Sequence, residues 1–266
     1  MSHPAQKFRR KNPIARQQKA RLFGIGAVGL LAGIAGLWHY VLGDFSRWSH
    51  SSPAGIRLPL HYEIHGLDVS KFQGKIDWPR VAAMELTDQV RFRFAFIKAT
   101  EGVTLNDKTF ATNWKSARQH GLRRGAYHFY VPWRDPEAQA ENFIRHVQLE
   151  PGDLPPVLDI ELTSLKSDER LAEELGTWLR LIEAHYGQKP LIYTNGHFYR
   201  KYVAGHLDEY PLWLADYTAD DLTRYPNARI LFWQHAKDGL VEGIRGRVDY
   251  NVFLSDQDDF EDICRE

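Results

Sequence analysis

Two carboxyl groups stand two residues apart in LPPVLDIEL, the stretch from Leu154 to Leu162: Asp159 and Glu161. Val157, Leu158 and Ile160 are branched apolar residues of the kind that fill a short buried strand, and Pro155 and Pro156 punctuate its start. Side chains two apart on a strand share a face, with roots roughly 6–7 Å apart. Burial and a neighbouring like charge both disfavour an ionised carboxyl, so one member of such a pair tends to keep its proton while the other ionises. Glycoside hydrolysis uses that division: one acid protonates the leaving oxygen and one carboxylate stabilises or attacks the sugar cation. A lone D-x-E is more often an ordinary strand end meeting solvent with surface acids, so the decision rests on the rest of the chain.

The elements that would position these acids alternate between strand and helix. Glu63 to Val69, Arg93 to Thr100, Gly125 to Tyr130, the LDIE stretch, Pro190 to Thr194, Leu212 to Ala215, Ile230 to Gln234 and Val248 to Asn251 read as strands. Phe110 to His120, a segment opened by Asp135-Pro136-Glu137 and running to about Val147, and a long segment from Ser167 to Gly187 read as helices. Repeated strand–helix units with eight strands predict an α/β fold, an irregular (β/α)8-like barrel. The connections 216–229 and 235–247 are short, and the second contains Gly239, Gly243 and Gly246, so helices are expected to be reduced in the second half. Active sites of such barrels lie at the carboxyl ends of the strands. Polar residues interrupt the apolar strands at those ends: Asp68, Glu101, Tyr127, His128, Asp159, Glu161, Tyr193, Asp216, Gln234 and Asp249. In a closed barrel the first and eighth strands are neighbours, which would let Asp68 meet Asp249. Any one of these acids could be a helix cap; together they point to one mouth.

Lys and Arg number 34, as do Asp and Glu, too balanced for a nucleic-acid binder relying on bulk charge. Cys264 is the only cysteine, so no intrachain disulfide can form. The histidines lack metal-ligand spacing, which reads His128, His197 and His235 as structural or rim residues; no metal or cofactor is expected. Residues 1–21 are basic without a single acid, and Leu22 to Leu42 carries no charge. That stretch is long enough to cross a bilayer, with the basic tail on the cytoplasmic side. A cleaved signal peptide is the competing reading. The expected organisation is a cytoplasmic tail (1–21), a transmembrane helix or uncleaved signal anchor (22–42), a Ser/Pro/Gly-rich linker (43–61) and a catalytic barrel (62–266).

In order along the chain, HGLDVSKFQGKIDW, FAFIKATEG, DKTFATNW, GLRRGAYHFY, QAENFI, LPPVLDIE, LIYTN, LWLADY, FWQH and RVDYN resemble the family-25 glycoside hydrolases, lysozymes that act as N-acetylmuramidases on peptidoglycan. The resemblance runs from about His65 to Phe253. It implies an irregular β/α barrel that cleaves the β-1,4 bond between N-acetylmuramic acid and N-acetylglucosamine. By it Glu161 looks like the general acid. Asp159 looks like the second carboxylate, either nucleophile or the group steadying an oxazolinium formed by the sugar's acetamido group. Asp68 and Asp249 look like supporting acids. Tyr127, Tyr193, Glu101, Asp216 and Gln234 are the residues expected against substrate. Glu161 is expected to be held protonated chiefly by Asp159, with partial burial helping.

The apparent anchor departs from secreted members of the family and suggests a single-pass protein of a bacterial inner membrane, its catalytic domain periplasmic or extracellular, in wall remodelling. Two alternatives remain. Family-18 chitinases also place D-x-E on a barrel strand, but their further upstream acids are here Pro155, Val157 and Leu158. A non-catalytic glycan-binding module would not need both Asp159 and Glu161.

Overall fold

Strand composition and alternation build a barrel. In the computed structural model, which describes residues 48–49, 53–87 and 90–264, the chain divides into two units, Met1–Trp48 and Ser49–Glu266. All described elements belong to the second unit. Its strands are β1 (His65–Val69), β2 (Glu85–Thr87), β3 (Val90–Glu101), β4 (Leu105–Asn106), β5 (Arg123–Phe129), β6 (Val157–Asp159), β7 (Leu191–Asn195), β8 (Leu212–Ala215), β9 (Ile230–Gly239) and β10 (Val248–Phe253). The short β2 and β4 each pair only with β3; the other eight close on themselves in the order β1-β10-β9-β8-β7-β6-β5-β3, and β3 returns to β1. The expected eight-stranded α/β barrel is therefore present.

Its interior is aromatic. Phe94 and Phe96 of β3, Trp213 of β8, Phe232 of β9 and Phe253 of β10 fill it, with Phe96 and Trp213 stacked at 4.3 Å. Two glycines make room for these rings. A Cβ at Gly66 would fall 2.3 Å from the Phe94 ring, and one at Gly125 would fall 2.5 Å from Phe96. A second apolar layer lies between strands and helices, where Phe143 meets Trp178 at 5.5 Å.

Helices cover the first half. Phe110–Gln119, Pro136–His146 and Asp168–Tyr186 follow β4, β5 and β6. Asp135 caps Pro136–His146 by accepting from Ala138 N at 2.8 Å, and Ser167 caps Asp168–Tyr186 by accepting from Arg170 N at 3.2 Å. Gly187 ends the latter in the left-handed conformation, at φ 67°. Between β7 and β10 a short helical stretch, Gly196–Val203, is the only helix among the described residues, and β9 returns through a hairpin directly into β10.

That hairpin corrects one expectation. β10 runs antiparallel to both β9 and β1, so Asp249 lies near the amino end of its strand, not the carboxyl end. Reversal puts that amino end at the same mouth as the carboxyl ends of the others. The strand pattern also omits β2, β4 and the closing helix Gln257–Asp262. The proposed membrane span at 22–42 lies outside the described residues. Among the described residues no helix is long and apolar enough to cross a membrane.

Candidate active site

The mouth is organised on Asp68. Its Oδ2 accepts from Gln234 Nε2 and from Asn251 Nδ2, each at 2.8 Å. Both amides are held in the donating orientation from behind. Gln234 Oε1 accepts the hydroxyls of Tyr193 (2.8 Å) and Tyr217 (2.6 Å), which leaves its NH2 facing Asp68. Asn251 Oδ1 accepts from Trp213 Nε1 at 2.7 Å. Four strands thus combine to present donors to one buried carboxylate. Asp249 is its register partner across β1–β10 and is hydrogen-bonded to it. Burial, the Asp68 charge and that hydrogen bond push Asp249 up to about 9. Burial lifts Asp68 to only about 6, because Asn251, Gln234 and Asp249 oppose it. Asp249 is the protonated member near neutrality and Asp68 the ionised one.

Asp159 ends β6, and Glu161 follows it in the loop; β6 is shorter than the sequence suggests, although Ile160 N still reaches Tyr193 O at 3.0 Å. Asp159 is buried, and its Oδ1 has no hydrogen-bond partner among the described residues. Burial first, then the Glu161 charge, raises its carboxyl well above the usual range, with Lys98 working the other way. Glu161 stands at the exposed rim, yet the wall around its carboxyl desolvates it. Burial raises it against Lys98 and a hydrogen bond from Tyr193. This corrects the expectation that Asp159 is what chiefly keeps Glu161 protonated: burial leads, and Asp159 is the deeper of the two.

Of the other predicted residues, Tyr127 lies at the mouth, where burial and then the Asp68 and Asp159 charges hold its phenol well above its ordinary value. Tyr193 is packed on Trp213 at 4.3 Å. Gln234 is buried and committed to Asp68, so it orients an acid instead of reaching outward. Glu101 pairs with Lys98 at 2.8 Å. Asp216 is turned into its own loop: Thr218 N (3.1 Å), Thr218 Oγ1 (3.0 Å) and Tyr225 OH (2.7 Å) donate to it, and Arg224 lies at 3.4 Å. Burial works against its charge, yet those hydrogen bonds and the guanidinium together hold its carboxyl below the usual range. His128 is structural, bonded to Thr100 at 2.7 Å and stacked on Trp178 at 5.5 Å.

Sequence reasoning passes over Asn251, Tyr217, Trp213 and Lys98. Asn251 had a signal, since it sits two residues from Asp249 on one strand; Lys98 had one too, as a lone charge inside the apolar FAFIKA run. Among the described residues no group of three or more His, Cys, Asp or Glu side chains is arranged to hold a metal ion.

Known proteins share this barrel. The model of "Glycosyl hydrolases family 25" matches residues 67–244. The chain is 44% identical over 201 residues to the uncharacterised protein YegX of Escherichia coli, covering 74% of this chain and 72% of that one. It is 31% identical over 206 residues to Lysozyme M1 of Streptomyces globisporus, covering 71% of this chain and 67% of that protein. The structure of a family 25 glycosyl hydrolase from Bacillus anthracis superposes with a TM-score of 0.70 at 32% identity, over 81% of this chain and 99% of that one.

Proposed function

We infer the function from one premise, that the chain belongs to glycosyl hydrolases family 25: it is a muramidase, a glycoside hydrolase acting on peptidoglycan. The observation that carries the chemistry is the pairing of buried Asp159 with rim-standing Glu161 at one barrel mouth, both carboxyls raised by burial. The bond cleaved is the β-1,4 linkage from N-acetylmuramic acid to N-acetylglucosamine. Glu161, reachable from solvent and holding its proton, donates to the leaving oxygen. Asp159, with an unpartnered oxygen, faces the sugar cation as nucleophile or as support for the acetamido oxygen. With the leaving sugar gone, Glu161 takes a proton from the incoming water. Asp68, fixed by three donors, holds negative charge beneath the ring, while Tyr127, Tyr193 and the half-exposed Tyr217 give the groove flat apolar faces. Mass spectrometry of products from purified peptidoglycan tests this: fragments with muramic acid at the reducing end are expected, and release from chitin alone would favour a chitinase-like enzyme.

The anchor belongs to the same proposal. The basic tail, the uncharged Leu22 to Leu42 and the polar linker support a single-pass inner-membrane protein with its barrel in the periplasm, remodelling the wall to which it is tethered.

A further inference from the structure

Lys98 interrupts β3 on its inward-facing side, one step beyond Phe94 and Phe96. Its side chain is buried, among the costliest places to put an ammonium. Nζ lies 2.8 Å from Glu101 Oε2 and 4.5 Å from the centre of the Phe129 ring. Phe129 is the register partner of Glu101 on one side and of Asp159 on the other. The ammonium therefore lies over the ring that separates these two acids. Two strand spacings, about 10 Å, separate the backbones of β3 and β6, and a lysine arm spans more than half of that.

The need for a cation there is physical. Asp159 is buried with an unpartnered oxygen, and Glu161 and Asp68 add like charge. A carboxylate without donors keeps its charge only if a positive group stands near. Lys98 touches Glu101 on its own strand, and its charge also acts on His128 on β5 and on Asp159 and Glu161 on and after β6. His128 stays neutral: burial, helped by the Lys98 charge, holds it near 3 against a hydrogen bond with Gln139.

We propose that Lys98 is a positioning residue of the hydrolase: its buried ammonium, clamped between Glu101 and the face of Phe129, supplies the counter-charge the Asp159 carboxylate needs when it meets a cationic sugar. Glu101 then tunes that charge and does not itself bind glycan. This rests on the muramidase reading, and two measurements on the purified full chain keep the two apart. The first is a carboxyl-carbon NMR titration of Asp159, which needs no activity. In Lys98→Met the Asp159 carboxyl should titrate at least about one pH unit higher than in wild type, and in Glu101→Gln lower, because that change both frees the ammonium and removes a like charge. Lys98→Arg should restore most of the wild-type value.

The second measurement is kcat/KM on solubilised peptidoglycan against pH. The acid limb should follow the same three shifts, with the loss in Lys98→Met falling on kcat, about tenfold or more below the limb, and KM little moved. An Asp159 titration unchanged in Lys98→Met, or Lys98→Met and Glu101→Gln moving it the same way, overturns the proposal. The latter is the result expected of a strut that merely holds Glu101. A wild-type protein that leaves peptidoglycan intact while Asp159 follows the three shifts would sink the muramidase reading and leave the electrostatic one standing.

Discussion

Asp68 and Asp249 face each other as register partners across the antiparallel pair β1–β10, and one proton serves both carboxyls. The asymmetry between them comes from donors. Asp68 accepts from two amides whose orientation is fixed by Tyr193, Tyr217 and Trp213, so the negative charge settles there. Asp249 lacks that support and carries the proton.

The two residues should therefore respond differently to the same chemical change. Asp249→Asn replaces a neutral O–H donor by a neutral N–H donor and should retain activity within about tenfold at neutral pH. Asp68→Asn removes the charge and turns a carboxylate into an amide facing two amide donors, so a loss of about 10²-fold or more is expected. Steady-state hydrolysis of solubilised wall by both folded variants checks this; equal losses would contradict the shared-proton assignment.

The same pair predicts how stability varies with pH. The folded pKa of Asp249, about 9, lies above that of an unfolded aspartate. A raised folded pKa gives stability that is fully present below the unfolded value and lost as pH climbs through the folded one. Wild type should thus lose melting temperature between about pH 4 and pH 9. In Asp249→Asn this contribution to the slope is gone, so its curve should cross or approach wild type from below as pH rises. Parallel curves for the two proteins across that window would count against it.

Much of this was legible in the chain. The eight barrel strands are each visible as apolar runs between turn residues, and the sparse glycine-rich 235–247 connection already announces a missing helix. The direction of the last strand was not, because Val248–Phe253 has the same composition whichever way it runs; only the hairpin length hints at reversal. In the site, Asp159, Glu161, Asp68 and Asp249 stand out as acids within apolar strands. What the pattern cannot tell is what each polar atom is spent on. Gln234 and Asp216 look alike as strand-end polar residues, yet one orients Asp68 and the other closes its own loop with Thr218 and Tyr225.

Tyr193 has one phenolic proton and two acceptors in reach, Gln234 and Glu161. Tyr193→Phe keeps the packing on Trp213 and removes the one donor that serves these acceptors. Turnover should fall about tenfold, with a loss of about 1 kcal/mol or less in stability. Tyr193→Ala also empties a buried aromatic site and should lose on the order of 3 kcal/mol or more. Denaturant melts beside kinetics separate the two effects; normal kinetics in a folded Phe variant would reduce Tyr193 to a packing residue.

For topology, a reporter that works only in the periplasm should be active when fused after Glu266, and the full chain should fractionate with membranes and resist release by salt. Activity restricted to a cytoplasmic reporter would reverse the orientation drawn from the basic tail.

The central prediction concerns Glu161. It stands at the rim where a leaving oxygen can reach it, and burial of its carboxyl raises it above the ordinary glutamate range, which favours the protonated form. Glu161→Gln preserves shape and hydrogen bonding but has no proton to give, so hydrolysis should fall by about 10²–10⁴-fold while glycan binding persists. Asp159→Asn should be comparably severe, since it removes the charge that faces the cationic transition state, whichever role that charge plays. Stability should move the other way. The raised folded pKa of Glu161 makes its ionisation cost stability as pH rises and nothing in acid. Glu161→Gln should therefore melt at or above wild type near neutrality, the two converging as pH falls. Wall hydrolysis by the purified variant beside its melt from pH 4 to 8 is the decisive measurement. Near-normal turnover in a folded Glu161→Gln protein would take the general-acid role from this residue and give it to another acid of the mouth.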